Sequence, residues 1–127
     1  MSIAASRTEA LNAVLDSLAL NLGGDVLGSA VVSVDGIVFA ARFSSAVNID
    51  RLSAIAATVL GVSRRVAKDL IMGNTRETII QCDNGYFVIY PVNEKCLLAV
   101  NLRKGGNLGM VRLESGDAAD RISGIMS

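Results

Sequence analysis

The chain has 127 residues, 51% of them hydrophobic, 19% charged and only 4% aromatic, and its 12 basic and 12 acidic side chains give a formal net charge of zero. That length fits one domain over residues 1–127 with an aliphatic core large enough to fold without disulfides or metals. The even charge argues against a general nucleic-acid binder, which needs a basic excess to release counterions, and the lack of histidine removes His-dependent triads, the common His metal sites and the usual general base near neutrality.

No apolar run approaches the ~20 residues that span a bilayer, and the first residues lack a basic stretch followed by an apolar core. The expectation is a cytoplasmic protein without membrane insertion. So little surface charge on an aliphatic chain also points to a further face buried by self-association. Cys82 and Cys96 fit neither a zinc knuckle nor a redox pair, and both are expected as small buried hydrophobes.

In chain order, residues from about Ser6 to Leu22 predict an amphipathic helix with Leu11, Val14, Leu15, Leu18 and Leu22 on one face. Ser6 and Glu9 form an S-x-x-E capping box, and Gly23-Gly24 ends the helix. The Gly23–Gly28 segment lacks the GK[ST] ending of a phosphate loop and follows a helix rather than a strand, so a helix stop explains it better. Ala30–Val34 and Ile37–Phe43 predict two strands joined at Asp35-Gly36, the sequence of a type I′ hairpin turn.

A long helix is predicted over Asp50–Met72, with Asn48 or Asp50 as N-cap. Leu52, Ile55, Val59, Val62 and Val66 share one face, and Ala56, Leu60, Ala67, Leu70 and Ile71 widen it to roughly half the circumference, beyond the ~100° stripe needed to cover one core. Such a helix touches its own sheet and something else. The opposite side carries Ala54, Ala57, Thr58, Gly61, Arg64, Arg65 and Lys68, small residues first and cations after. Gly61 in mid-helix costs ~1 kcal/mol relative to alanine. Close approach by another backbone is one reason for it, and a solvated face with a harmless glycine is the other.

Three strands follow, Thr75–Cys82, Tyr86–Val92 and Cys96–Asn101, separated by turns at Asp83-Asn84-Gly85 and Asn93-Glu94-Lys95. The first is the most polar of the three, as suits an edge facing water or a sister chain. Leu108, Val111, Ala118, Ile122 and Ile125 suggest a terminal helix, weakened by Gly109 and Gly116. The simplest packing of α-β-β-α-β-β-β-α is an α+β fold. A five-stranded antiparallel sheet carries the long helix on one face and the terminal helices on the other.

The runs GSAVVSVDGIVFA, DRLSAIAATVLGVSRRVAKDL, ETIIQCDNGYFVIYPVNEKCLLAV and NLGMVRLE resemble the roadblock family of dynein-light-chain-type domains, nearest its stand-alone prokaryotic members of the MglB kind. The resemblance spans about Ser6 to Ile125 and implies a profilin-like or longin-like fold and an obligate homodimer. In that dimer the long helices lie side by side and the following strand pairs across the two-fold. Carried onto this chain, the interface is Thr75, Glu77, Thr78, Ile79, Ile80 and Gln81 with Val59, Val62 and Val66 of the helix. The resemblance further implies a Ras-like small GTPase as partner, bound on the surface of Ala54, Ala57, Thr58, Gly61, Arg64, Arg65 and Lys68.

The leading expectation is therefore a non-enzymatic homodimeric regulator of a small GTPase. Arg64 or Arg65 as an arginine finger is its sharper variant, and positioning of switch segments is the preferred one. A dimerisation scaffold without effect on hydrolysis is the alternative, and a small-molecule sensor a remote one. No cofactor or metal is expected, and Asp50, Glu77, Asp83 and Glu94 are explained by caps, turns and strand positions rather than catalysis.

Overall fold

The computed structural model describes residues 2–127. The elements are α1 (Ile3–Asn21), a 3-10 turn (Gly23–Asp25), β1 (Val26–Ser33), β2 (Val38–Phe43), α2 (Ile49–Asp69), β3 (Thr78–Cys82), β4 (Gly85–Pro91), β5 (Cys96–Arg103) and α3 (Leu108–Met126). The strands form a five-stranded antiparallel sheet in the order β2-β1-β5-β4-β3. This is the α+β arrangement expected from the sequence, with α2 on one face and α1 and α3 on the other.

Alternation along the strands builds two cores. Val31, Val88, Leu98 and Val100 point toward α1 and α3, where they meet Leu11, Val14, Leu15, Leu18, Val111 and Ile122. Ala30, Val32, Ile89, Leu97 and Ala99 point toward α2 and meet Ala56 and Leu60. The second core is thinner and made of smaller side chains. In β1, Gly28 stands opposite Phe43 of β2, and a Cβ there would overlap the Phe43 ring. The glycine is a packing requirement.

Several local expectations change. Helix α1 begins earlier than Ser6, because the Ser2 hydroxyl accepts the Ala5 N–H at 3.1 Å and acts as N-cap. With that end already capped, Ser6 lies inside the helix and the expected Ser6–Glu9 capping box does not form. Gly23, at φ 59, takes the left-handed position that ends the helix.

The β1–β2 turn is not type I′. Only Gly36 has positive φ, at 89, and the Gly36 N–H donates to Ser33 O at 2.9 Å while Ser33 N–H donates to Ile37 O at 2.8 Å. That is a three-residue loop, a type I turn followed by a left-handed glycine. The Ser33 hydroxyl stabilises it by accepting the Ile37 N–H at 2.9 Å and the Asp35 N–H at 3.2 Å.

Strand β3 starts at Thr78 rather than Thr75, and it is a sheet edge, as its polarity suggests. Its end is bare: Ile80, Gln81 and Cys82 are exposed. Cys82 is therefore a surface thiol, contrary to expectation, whereas Cys96 is buried, and both are free. Pro91 closes β4 two residues beyond Ile89, the last partner of β3, so its missing N–H breaks no ladder on that side.

Helix α3 runs unbroken despite its glycines. The Asn107 side chain caps it by accepting the Met110 N–H at 3.1 Å, and Val111, Ser115, Ala118 and Ile122 form its buried stripe. Packing outweighs propensity here. Two ion pairs fix its start. Arg112 meets Glu77 at 2.8 Å, and Arg103 meets Asp25 at 2.9 Å. Asp25 also accepts the Asn107 N–H at 3.0 Å. That backbone hydrogen bond first, and Arg103 after it, hold the Asp25 carboxyl below its ordinary range against the opposing effect of desolvation.

Candidate functional site

Helix α2 is capped by Asn48, whose side chain accepts the Arg51 N–H at 3.0 Å, with Asp50 in the first turn and Lys68 in the last. Both charges complement the helix dipole. Three of its residues are buried against the sheet, the small Ser53 and Ala56 and one large apolar side chain, Leu60. Small side chains let the helix sit close to the strands and leave its larger apolar residues on the flank.

That flank is largely uncovered. Leu52 and Val59 are half-buried, but Ile55, Val62 and Val66 are 47%, 59% and 49% exposed. The apolar row expected from the 3.6-residue period is real, yet its outer members do not face their own core. The row continues toward the sheet edge, where Ile80 of β3 is 37% exposed. Strand β3 hydrogen-bonds to β4 alone, so its other backbone edge is unpaired among the described residues. Thr78 anchors the start of β3 to α2 by donating its hydroxyl to Ser63 Oγ at 2.8 Å. Ile79 turns toward the α1–α3 core. Thr75 and Glu77 precede the strand, and Glu77 is engaged by Arg112. A groove of about 640 Å³ runs between Val62, Val66 and Met72 of the helix end and the 74–79 segment.

The other side of α2 divides the seven residues expected to share one surface. Ala54, Thr58, Gly61, Arg65 and Lys68 are exposed, but Ala57 and Arg64 are half-buried on the flank toward the sheet. Ala57 packs on the α2-side core. Arg64 donates from Nη2 to the Asn93 carbonyl at 3.1 Å, and Asn93 shapes the β4–β5 turn by accepting the N–H groups of Lys95 and Cys96. Arg65 pairs with Asp69 one turn on, at 3.2 Å. A Cβ on Gly61 would meet nothing within 4 Å, whereas one on Gly36 would lie 3.1 Å from Ala54 Cα. The β1–β2 turn therefore borders the open face at Ala54, and Gly61 lies inside it.

The helix ends at Asp69, not Met72, in a Schellman motif. Met72 N–H donates to Ala67 O at 2.8 Å and Ile71 N–H to Lys68 O at 3.2 Å. The residue in the left-handed position is Ile71, at φ 54, where glycine is usual. Its side chain is 92% exposed, beside Leu70 and Met72 at 65% and 68%. A second groove, of about 800 Å³, separates this helix end from the β4–β5 turn and is lined by Arg64, Lys68, Ile71, Thr75, Val92 and Glu94 among others.

Elsewhere, burial pushes the Tyr90 phenol up to about 12, with the Glu77 carboxylate adding to the effect and Ser115 and Arg112 opposing it. Burial also raises the Cys96 thiol. Both groups belong to the α1–α3 core. Among the described residues no cluster of three or more Cys, Asp or Glu side chains is placed to hold a metal ion, and no helix is long and apolar enough to cross a membrane.

The Roadblock/LC7 domain model matches residues 12–101, which takes in the whole sheet but its last two residues, and all of α2. The chain belongs to the Roadblock/LC7 family. This roadblock domain is 31% identical over 105 residues to the uncharacterized protein MJ0310 of Methanocaldococcus jannaschii, covering 83% of this chain and 91% of that protein. Among solved structures, Myxococcus xanthus MglB superposes with a TM-score of 0.85 at 21% identity, over 94% of this chain and 89% of that one. A Schizosaccharomyces pombe profilin superposes with a TM-score of 0.65 at 16% identity, over 91% and 98% of the two chains. Both likenesses concern the fold, which is the profilin-like one of stand-alone prokaryotic roadblock domains.

Sequence reasoning missed two features of the site. The anchoring of Arg64 by Asn93 joins residues 29 apart and has no local signature. The left-handed Ile71 has none either, since a β-branched residue is the last expected there.

Proposed function

We propose that this roadblock domain is a non-enzymatic homodimeric regulator of a Ras-like small GTPase. The observation that carries the reading is the exposed Ile55–Val62–Val66 flank of α2 lying next to the unpaired edge of β3. A second copy related by a two-fold satisfies both at once. Strand β3 pairs with its counterpart, hydrogen-bonding the free edge, and α2 packs antiparallel on its counterpart, bringing Val66 of one helix toward Ile55 of the other. Isologous contacts of this kind close after two subunits.

The dimer would present two copies of the open face side by side, formed by Ala54, Thr58, Gly61, Arg65 and Lys68. The absence of a side chain at Gly61 allows close approach, and the cationic end favours an acidic surface and sets its orientation. Arg64 is held by Asn93, and Arg65 pairs with Asp69. The anchoring of Arg64 favours action by positioning, or as a scaffold, over an arginine finger from that residue, whereas the exposed Arg65–Asp69 pair is too weak to hold Arg65 in place.

Solution mass by light scattering for wild type, Gly61→Arg and Val62→Asp tests the dimer. The reading expects a dimer for the first two and a monomer for Val62→Asp. A monomeric wild type overturns it, and a Gly61→Arg monomer moves the docking face elsewhere on the helix. Immobilised wild type should then retain a small GTPase from the source cells that Gly61→Arg does not. A steady-state hydrolysis assay on that GTPase separates activator from scaffold.

A further inference from the structure

The groove at the C-terminal end of α2 lies across the helix from the Ile55–Val66 flank, so the dimer leaves it open. Arg64 and Lys68 line it against one carboxylate, Glu94. Lys68 has no ion-pair partner among the described residues, and the Thr75 hydroxyl is shut off from solvent without a hydrogen-bond partner. Ile71, strained and almost fully exposed, stands at the mouth. The groove therefore offers one unpaired cation, Lys68, a turn away from Arg64, whose Nη2 is anchored on the Asn93 carbonyl, beside an apolar knob.

The complement of that pattern lies on the far side of the sheet. Helix α3 buries Val111, Ser115, Ala118 and Ile122 and so turns Leu113, Asp117 and Asp120 outward. Leu113 is 60% exposed, and neither aspartate is ion-paired among the described residues. At 1.5 Å per residue, Asp117 and Asp120 are about 4.5 Å apart along α3, against about 6 Å for Arg64 and Lys68 along α2, a difference the long cationic side chains can span. A Cβ on neighbouring Gly116 would meet nothing within 4 Å, so no side chain there obstructs approach.

We propose that a second copy of this chain docks the Leu113–Asp117–Asp120 face of its α3 into the α2 groove, with Leu113 on Ile71 and the aspartates on Lys68 and Arg64. The two surfaces differ and sit on opposite faces of the sheet. The contact is therefore head-to-tail, so each docked copy leaves a groove free at one end and an α3 face free at the other, and stacking can continue beyond two copies. Lys68 belongs both to the groove and to the open face of α2, so stacking masks the surface assigned above to the GTPase. That regulatory half rests on the proposed function, whereas the stacking contact does not.

Sedimentation velocity over a protein concentration series at low salt tests it. Wild type should grow beyond its base unit with concentration, and should return to that unit near 1 M salt, where the screening length falls to about 3 Å. Lys68→Glu and Asp117→Lys should each weaken growth on the order of tenfold, and the double variant, which restores opposite charges, should recover it. Wild type fixed at its base mass at every concentration overturns the proposal, as does growth that both single variants preserve. The base mass reads the dimer and the increment above it reads the stack, so the two readings fail separately.

Discussion

Ile71→Gly should stabilise the protein. An L-residue in the left-handed region costs roughly 1–2 kcal/mol through the crowding of its Cβ and the following carbonyl. Glycine removes that cost but loses more backbone entropy on folding, by about 0.5–1 kcal/mol. Ile71 is 92% exposed, so its removal forfeits almost no burial. The balance is a gain of about 0.5–1 kcal/mol, or a rise of roughly 2–5 °C in midpoint for a domain of this size. Urea unfolding at one fixed protein concentration measures it, since association makes apparent stability concentration-dependent. Ile71→Asn should give part of the gain, because asparagine tolerates this conformation, and Ile71→Val should give none. A midpoint that falls or stays for Ile71→Gly would refute the reasoning, for it would mean the side chain makes contacts that outweigh its strain.

Gly28→Ala should destabilise by about 1–3 kcal/mol, as overpacking does, since its methyl would overlap Phe43; thermal unfolding at fixed concentration checks this. Gly61→Ala should act oppositely, adding ~1 kcal/mol of stability because nothing lies within 4 Å of the new methyl, as denaturant unfolding would register. The Tyr90 phenol stays protonated up to about 12 in the folded chain, against a reference value of 10.0. The unfolded chain releases that proton first, so the associated stability is complete below pH 10 and disappears as pH rises through about 12. Ultraviolet phenolate absorbance of folded Tyr86→Phe, and alkaline unfolding of wild type beside Tyr90→Phe, follow both sides of that linkage.

Much of the architecture was legible because each signal had one meaning. The spacing of Leu11, Leu15, Leu18 and Leu22 admits only a helix lying on a core, and the polarity of Thr75–Cys82 places that segment at an edge, facing water or a sister chain. The ambiguous signals misled. An Asp-Gly dipeptide serves two hairpin turns, and Ser33, outside the dipeptide, decides between them. On α2, an apolar half-circumference does not say which part faces the sheet. Close packing selected Ser53 and Ala56 for their size and turned the more hydrophobic Val62 outward. That same choice of small buried residues carried Ala57 and Arg64 off the open face, because it rotated the whole helix relative to its hydrophobic stripe.

Helix α2 is attached to its sheet through Ser53, Ala56 and Leu60, while the larger core lies on the other face, under α1 and α3. Mutational drift at Arg51, Thr58, Arg65 and Lys68 is thereby uncoupled from folding. Substitutions at these exposed positions reshape the proposed docking face while leaving the scaffold intact. Change at Ala56 or Leu60 has no such freedom, since each fills the thin layer on which the helix rests.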